Sequence, residues 1–512
     1  MSIKSGKQIK ISAIVSYIAL FINIVITLLY TPWMVGKIGK ANYGLYTLSI
    51  SLISIFMLDF GLSSAVTKFL SKYRAENNQK KINSLVGAIF KLYFFIDIIL
   101  IFLLTTVFFF IGKIYKNLSP DELELFKTLY VVVSIFNIIS FPMTPLSGIL
   151  SAYEKFIQLK LCDLFNKVFR VILVVIVLLM NFDVVAIVVA NAITGVLTIL
   201  IKIVIIKVCI PIKIDFKSAN IETYKEIFSF SSCLTIISVA QRILHNLVPS
   251  ILAITAGSVA VALYSPASSL GEYFYLIAVA VNGLFLPTIA RMIANNEEEK
   301  ILELMIKVGR YQTYILGLII VGFFCVGDLF MITWMGKDFI ISYYCALLLM
   351  IPSLFEYSQQ IANTTIVAKN YVKHQAILLI ISSVFGCGLS FLFSYLWGSI
   401  GVSLSLCITG LINVIGLNYI HKKKLNIDIK RFYKECYFNI FITLIITATL
   451  GRILCLIIPL YGILGIIVKS FIIIIIFSLS SFLFSMNKYE KSIIKSLILN
   501  LKKMINKKQH QN

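Results

Sequence analysis

Long apolar stretches separated by short polar loops fill this chain almost from end to end. We count fourteen of them, and most exceed the ~20 residues that an α-helix needs to span the hydrocarbon core of a bilayer. They lie at about 11–31, 43–66, 83–112, 124–148, 158–180, 183–207, 223–251, 258–286, 304–330, 339–366, 373–396, 399–420, 432–456 and 460–486. This pattern predicts an all-α, polytopic membrane protein with about fourteen transmembrane helices.

The cationic residues are distributed unequally between the two sets of loops. Of the 46 Lys and Arg residues, 33 lie in the termini, in the loops on the same side as the N-terminus or at the segment ends beside them, whereas 5 lie in the opposite loops. Loops rich in Lys and Arg stay on the cytosolic side of a membrane. The distribution therefore predicts that both termini are cytosolic.

The composition is that of a membrane protein. Hydrophobic residues make up 59% of the chain and the mean hydropathy is +0.95, whereas a soluble domain has roughly 45–50% apolar residues. The net charge of +23 reflects basic loops that face anionic headgroups, so we expect no nucleic-acid partner. The nine cysteines form no CxxC pair, and no histidine lies near them at ligand spacing. We therefore expect neither a metal nor a cofactor.

A weak internal repeat predicts how the helices are organised. Residues 44–52 resemble residues 262–270 at an offset of 218, and Pro32 and Pro249 close the first segment of each half at an offset of 217. Six segments per half give a parallel repeat about the membrane normal, with chance similarity as the competing explanation. The repeat predicts two six-helix lobes around a central cavity, two extra helices and a basic cytosolic tail, at residues 1–215, 216–424, 425–487 and 488–512.

Charged residues inside apolar segments are costly, so each one is a candidate functional residue. In the seventh segment Arg242 shares a stripe with Gln241, His245 and Asn246, and it is the best anion-binding candidate in the sequence. Arginine suits phosphate because its planar guanidinium donates two parallel hydrogen bonds and stays charged. His245 is either a second donor to the same anion or a hydrogen-bonded packing residue.

The intramembrane cations have structural alternatives. In the fifth segment Asp163, Lys167 and Arg170 share one helical face, with Asn166 beside them. An internal Asp163–Lys167 pair leaves Arg170 to be compensated by an anionic ligand, as a further anion-binding candidate, or by a carboxylate on another helix. Arg310 in the ninth segment is a third candidate, unless its side chain extends to the cytosolic interface. For the seventh segment the structural alternative is an ion pair of Arg242 with one of two acidic residues, Asp59 and Glu272.

The tenth segment carries a polar stripe that a lipid-facing helix would not tolerate. Glu356, Gln359, Gln360 and Asn363 are spaced at i, i+3, i+4 and i+7, which places them on one helical face. We expect this face to line the cavity and to offer hydrogen bonds to sugar hydroxyl groups.

Two short regions resemble bacterial polysaccharide flippases of the multidrug/oligosaccharidyl-lipid/polysaccharide exporter superfamily. The first reads Gly-Lys-Ala-Asn-Tyr-Gly-Leu-Tyr from Gly39 and Leu-Asp-Phe-Gly-Leu-Ser-Ser-Ala from Leu58, followed by Lys68 and Arg74. The second lies between residues 257 and 267 and contains Val-Ala-Leu-Tyr-Ser-Pro-Ala. The predicted layout of fourteen segments extends the resemblance over essentially the whole chain.

The resemblance implies a Wzx-type flippase. Such a protein moves an isoprenoid-pyrophosphate-linked oligosaccharide, an O-antigen or capsule repeat unit, from the cytosolic to the outer leaflet of the bacterial cytoplasmic (inner) membrane by alternating access. The lipid-linked oligosaccharide and the bilayer are then its partners, with a polysaccharide polymerase and other assembly proteins as further candidates. Many relatives carry an acidic residue near the position of residues 242–246, and this chain has none there, which weakens an analogy to proton or sodium coupling.

Three alternatives stay open at this level. A multidrug exporter of the same fold should present acidic groups to cationic drugs, whereas the candidates here are arginines. A polymerase or lipid-dependent glycosyltransferase would need a long outside loop, and no hydrolase, transferase or Walker motif is present, so we expect no enzyme. A non-transporting scaffold of the assembly machinery would tolerate the loss of the arginine charges.

Overall fold

The computed structural model describes residues 24–216, 221–279, 285–295, 297–369 and 371–492. All the regular structure within these ranges is helical, which confirms the predicted all-α class. Nine helical stretches among the described residues are long and apolar enough to cross a membrane. The chain is therefore a multi-pass membrane protein.

The helices follow one another with short connections. In chain order they are α1 (Ile24–Ile38), α2 (Lys40–Phe56), α3 (Leu62–Ala75), α4 (Gln79–Ile114), α5 (Pro120–Ser140), α6 (Pro145–Ala152), α7 (Phe156–Leu179), α8 (Val184–Cys209), α9 (Ile221–Asn246), α10 (Val248–Val279), α11 (Leu286–Ala294), α12 (Glu299–Met335), α13 (Ile340–Ser358), α14 (Gln360–Ala368), α15 (Val372–Leu425), α16 (Ile429–Tyr433), α17 (Asn439–Ile457) and α18 (Gly462–Ser480). Two π-helical turns, Lys434–Phe438 and Ser481–Ser485, follow α16 and α18.

Two predicted segment boundaries fall on glycines at which a helix changes direction. Within α10, Gly257 has a φ of 81°, and it lies in the predicted gap between the seventh and eighth segments. Within α15, Trp397 and Gly398 leave the helical conformation, with a φ of 54° at the glycine, in the gap between the eleventh and twelfth segments. Glycine adopts positive φ without the steric cost of a Cβ atom, so these residues separate consecutive spans.

The second predicted segment, residues 43–66, is wrong as a single helix. The structure ends α2 at Phe56 and begins α3 at Leu62. Between them, Phe60 and Gly61 have φ values of 51° and 68°, which the right-handed helix does not allow. The break exposes backbone groups that need partners from other helices, and these partners form part of the candidate site described below.

The described residues form two compact units. The first contains the chain up to Ser269 together with Val372–Thr409, and the second contains Leu270–Tyr371 together with the chain from Gly410. The unit boundaries therefore fall inside α10 and α15. The lobes 1–215 and 216–424 are a different division, derived from the internal repeat, and they stay a prediction.

The core of the first unit lies where α3, α4 and α6 meet. Leu70, Tyr93 and Leu150 contribute one fully buried side chain from each of these helices. Elsewhere in this unit α2 approaches α10 closely, because a methyl group on Gly44 would collide with the carbonyl oxygen of Ser258. Small residues permit such close backbone contacts between membrane helices.

The second unit packs around α12, the helix that contacts α13, α17 and α18. Its apolar core includes Val321 and Cys325 from α12, Ile440 from α17 and Ile473 from α18. The outward faces of α17 and α18 remain rich in exposed apolar side chains. Such faces are stable in contact with lipid tails, which are as apolar as leucine.

Candidate anion-binding site

The break between α2 and α3 is held by polar side chains of α9. Nη1 of Arg242 donates a short hydrogen bond to the carbonyl oxygen of Ser54, in the last turn of α2. The hydroxyl group of Thr235 donates to the carbonyl oxygen of Phe60 at 2.9 Å. Carbonyl groups at a helix C-terminus lack intrahelical partners, so side chains of α9 supply the hydrogen-bond donors that the interrupted helix lacks.

Asp59 lies inside the same break, and its carboxylate has two donors. One oxygen accepts the backbone N–H of Ser63 at 3.2 Å, at the beginning of α3, where a negative charge is favoured by the helix dipole. The other oxygen accepts a short hydrogen bond from the hydroxyl group of Tyr93 on α4. Asp59 and Arg242 also lie within electrostatic range of one another. Asp59, one of the two predicted ion-pair partners of Arg242, is therefore close to it.

The rest of the α9 stripe differs in accessibility. Gln241 and His245 are exposed, whereas Arg242 and Asn246 are half-buried. Asn246 is the last residue of α9, so the stripe ends where the chain turns into α10. Glu272, the other acidic candidate, is exposed on α10 in the second unit.

Arg170 on α7 is exposed and has neutral partners. Its Nη2 donates to the side-chain oxygen of Asn166 at 2.7 Å, and Asn166 in turn donates to Thr198 Oγ1 at 2.9 Å. Tyr30 and Tyr46 lie within electrostatic range of the Arg170 guanidinium. Among the described residues, no carboxylate lies within ion-pair distance of it. Arg170 is thus a fixed positive charge among hydroxyl and amide groups.

The amide and hydroxyl groups around Arg170 come from several helices. The side chain of Asn191 on α8 donates to the hydroxyl oxygen of Tyr46 on α2 at 2.9 Å. Sequence reasoning found Asn166, which is one turn from Arg170, but it missed Tyr30, Tyr46 and Asn191. These residues lie on other helices, so no spacing rule within one segment could have found them.

Asp163 and Lys167 lie nearer the beginning of α7 than Arg170 does. The Asp163 carboxylate is 3.8 Å from Lys160 Nζ and 3.9 Å from Lys202 Nζ on α8. Lys202 also donates to Ser147 Oγ at 3.0 Å. The Asp163 carboxylate of α7 is therefore paired with lysines and not with Arg170.

Arg310 lies in the second unit and is almost fully engaged. Its Nε and Nη2 donate to the two carboxylate oxygens of Glu490, each at 2.7 Å, and both side chains are 7% exposed. Nη1 donates to the carbonyl oxygen of Glu435 and Nη2 to that of Ser485, each at 2.7 Å. Arg310 thus joins α12 to the two π-helical turns. This structural role is neither of the two that the sequence argument weighed.

The polar stripe of the tenth segment does not lie on one continuous helix. Because α13 ends at Ser358 and α14 begins at Gln360, the turn at Gln359 separates Glu356 from Asn363. Gln359 is 2% exposed, while the other three residues, Glu356, Gln360 and Asn363, are half-buried. Asn363 Oδ1 lies 3.2 Å from Nε2 of His421 on α15. A partner 58 residues away could not be predicted from helical spacing.

The fold is that of a known class of membrane transporters. The chain is similar to the lipid II flippase MurJ in an inward closed conformation, with 18% identity, a TM-score of 0.67, and coverage of 94% of this chain and 98% of that chain. It is also similar to an inward-facing multidrug resistance MATE family transporter of the MOP superfamily, with 14% identity, a TM-score of 0.64, and coverage of 80% and 99%. A MOP superfamily transporter from Pyrococcus furiosus, for which a reverse polarity of the binding pocket is described, matches with 15% identity, a TM-score of 0.57, and coverage of 83% and 96%.

The sequence identifies the family within this class. Residues 10–293 match the family described as polysaccharide biosynthesis protein, which is more than half of the chain, and the protein belongs to this family. The predicted resemblance is thereby confirmed at the level of the polysaccharide biosynthesis family and of a fold shared with the lipid II flippase and the MATE transporter. Among curated proteins, none matches the chain.

Proposed function

We propose that the protein is a flippase that moves an isoprenoid-pyrophosphate-linked oligosaccharide from the cytosolic to the outer leaflet of a bacterial cytoplasmic membrane, with both termini in the cytosol. The observation that carries this proposal is the positive charge of Arg170, which has neutral partners and no carboxylate within ion-pair distance among the described residues. If the predicted fifth segment spans the membrane, an arginine near its centre costs about 2.5–3.5 kcal/mol on insertion scales. An anionic ligand would compensate that cost.

The chemistry around Arg170 fits both parts of the proposed headgroup. A guanidinium binds phosphate oxygens through parallel, charge-assisted hydrogen bonds, which suits the pyrophosphate. Tyrosine rings and amide side chains provide apolar contact together with hydrogen bonds, which suits sugars, and Tyr30, Tyr46, Asn166 and Asn191 supply these groups. The membrane potential would favour outward movement of the anion by about 2.3 kcal/mol per charge per 100 mV.

Arg242 is the second proposed anion ligand, and its existing contacts limit which of its N–H groups can bind an anion. Its Nη1 is bonded to the Ser54 carbonyl and Asp59 lies nearby, so a pyrophosphate would bind it through the N–H groups that face away from the break. Exposed Gln241 and His245, with Asn246, would complete this end of the site. Arg310 is not included, because its contacts are structural, and we keep Glu356, Gln359, Gln360 and Asn363 as proposed cavity residues only.

Leaflet-resolved transfer of a pyrophosphate-linked oligosaccharide lipid in proteoliposomes tests the proposal. We expect transfer by the wild type and at least a tenfold loss in Arg170→Gln, because charge-assisted hydrogen bonds contribute about 1.5–3 kcal/mol each. Arg170→Lys should retain part of the activity, since it keeps the charge without the planar fork. Lys91→Gln, which removes an exposed cation from α4, is the matched control and should transfer normally.

Each other outcome points to a different conclusion. Full activity in Arg170→Gln would keep the function and refute the site. No transfer by folded wild-type protein would favour the alternatives, a multidrug exporter of the same fold or a non-transporting scaffold of the polysaccharide assembly machinery. A multidrug exporter should transport cationic drugs. A scaffold should instead bind a polymerase or another assembly protein, and neutralisation of Arg170 should not change that binding.

A further inference from the structure

We propose that the end of the second unit at which α17 and α18 are joined binds the phosphate group of an anionic glycerophospholipid, with Lys469 and Arg452 as its ligands. This site is separate from the proposed transport site, and the inference does not depend on the transported substrate. It would be a site for a resident lipid of the surrounding membrane.

Lys469 is the first observation, because it is buried within an apolar membrane helix. The residue is 7% exposed, and its ammonium lies 5.8 Å from the centroid of the Tyr461 ring. Among the described residues, no carboxylate or hydrogen-bond acceptor lies within bonding distance of its ammonium. Burial of an unpaired charge is strongly unfavourable, and a single cation–π contact offsets only about 0.5–2 kcal/mol. The arrangement therefore calls for an anion.

An acidic residue on α12, Asp328, is already engaged by another cation. Asp328 on α12 lies 2.8 Å from Nη2 of Arg452, and its other carboxylate oxygen accepts the backbone N–H of Leu329 at 2.7 Å. Nη1 of Arg452 donates to the carbonyl oxygen of Cys325 at 3.0 Å. The Arg452 and Asp328 charges cancel, so Lys469 leaves the group with one net positive charge.

The three charges share one neighbour. Cys455 on α17 lies within electrostatic range of Lys469, Arg452 and Asp328. The Arg452 side chain remains 32% exposed, so part of its guanidinium is open to a ligand that approaches from the membrane. A phosphodiester carries one negative charge and several acceptor oxygens, which matches both the net charge and the donors of Lys469 and Arg452.

The position in the membrane favours a lipid over a soluble anion. Arg452 lies about one and a half turns before the end of α17, and Lys469 about two turns after the start of α18, which corresponds to roughly 8–11 Å from the helix ends. A lipid phosphate at the edge of the membrane would lie close to this depth, and long cationic side chains can extend towards it. Beside them the surface is apolar, because Ile453, Leu456 and Ile467 are 53%, 73% and 60% exposed. Acyl chains would cover this surface while the phosphate contacts the cations.

Thermal unfolding of the delipidated protein in a neutral detergent, with and without added phosphatidylglycerol, tests the inference. We expect phosphatidylglycerol to raise the Tm of the wild type and phosphatidylcholine to raise it much less. Lys469→Met should unfold at a Tm no lower than that of the lipid-free wild type, since it removes a buried charge. Its affinity for phosphatidylglycerol, measured by native mass spectrometry, should fall by about tenfold, which corresponds to 1.4 kcal/mol.

Two further variants and one soluble probe separate the explanations. Lys469→Arg should retain the preference for phosphatidylglycerol because it keeps the charge, and Lys91→Gln should retain it because Lys91 lies on α4 of the first unit. The inference is refuted if Lys469→Met keeps the preference, or if the wild type does not distinguish the two lipids. Inorganic phosphate that reproduces the whole stabilisation would likewise refute a lipid as the ligand.

Discussion

Arg310 provides the sharpest test of the distinction between structural and functional cations in this protein. In Arg310→Gln the Glu490 carboxylate would lose both guanidinium hydrogen bonds and keep the backbone N–H of Asn487, at 2.9 Å, and the hydroxyl group of Tyr314, at 3.4 Å. The carbonyl groups of Glu435 and Ser485 would lose their donors as well.

The expected cost follows from the burial of the pair. Removal of one partner of a buried ion pair destabilises a protein by about 3–5 kcal/mol, because it leaves an uncompensated charge. Arg310 and Glu490 are both 7% exposed, so we expect the upper part of this range. The double variant Arg310→Met with Glu490→Leu should recover most of the stability, since a well-packed apolar pair often replaces a buried ion pair without loss.

A second ion pair of the same chemistry serves as the control. Arg431 and Glu435 are also 2.7 Å apart, but their side chains are 49% and 44% exposed. An exposed pair of this kind contributes little to stability because solvent screens its charges, so Arg431→Gln should have little effect. The measurement is the free energy of unfolding in mixed micelles, titrated with a denaturing detergent and followed by tryptophan fluorescence or circular dichroism.

Two outcomes would contradict this reasoning. If Arg310→Gln costs no more than Arg431→Gln, burial does not determine the strength of the pair. If Arg310→Gln is stable but loses transfer of the lipid-linked oligosaccharide, Arg310 is an anion ligand, as the sequence predicted, and its contacts with Glu490 are secondary.

The remaining predictions concern the first unit. Gly44→Ala should strongly reduce the yield of monodisperse protein in size-exclusion chromatography, because the added methyl group meets the Ser258 backbone, whereas Gly36→Ala should not, because nothing lies within 4 Å of its Cβ position. Tyr93→Phe should lower the free energy of unfolding by about 1.5–3 kcal/mol, since it removes a hydrogen bond to a charged group; an unchanged unfolding curve would show that the Tyr93 hydroxyl does not support Asp59.

Much of the fold could be predicted because its signals are local. Apolar length acts within about one helix, so one sequence suffices to identify it, and two of the predicted gaps coincide with the breaks at Gly257 and Gly398. The same approach missed the interruption between α2 and α3. Leu58, Phe60 and Leu62 keep that region apolar, so hydropathy continues through a break that is stabilised by Thr235 and Arg242, more than 170 residues away.

The candidate site was only partly predictable. A cation can be identified within one segment, whereas the residue that carries its counter-charge can lie far away in the sequence. Arg310 and Arg170 give the same signal in the sequence, a single arginine within an apolar stretch. The structure separates them through remote partners, since Glu490 lies 180 positions from Arg310, while the nearest partner of Arg170 is the neutral Asn166 on its own helix. No periodicity within α7 or α12 contains that information.

The presence or absence of a counter-charge therefore decides which intramembrane cations are candidates for function. Arg310 faces a carboxylate at 2.7 Å, and its charge is compensated within the protein. Arg170 and Lys469 have no such partner among the described residues, and because an uncompensated charge in hydrocarbon is costly, we propose an anion from outside the chain as the partner of each. Arg242 is intermediate, since it is close to Asp59 yet bonded to a carbonyl group. This order predicts that neutralisation impairs ligand binding most at Arg170 and Lys469 and impairs folding most at Arg310.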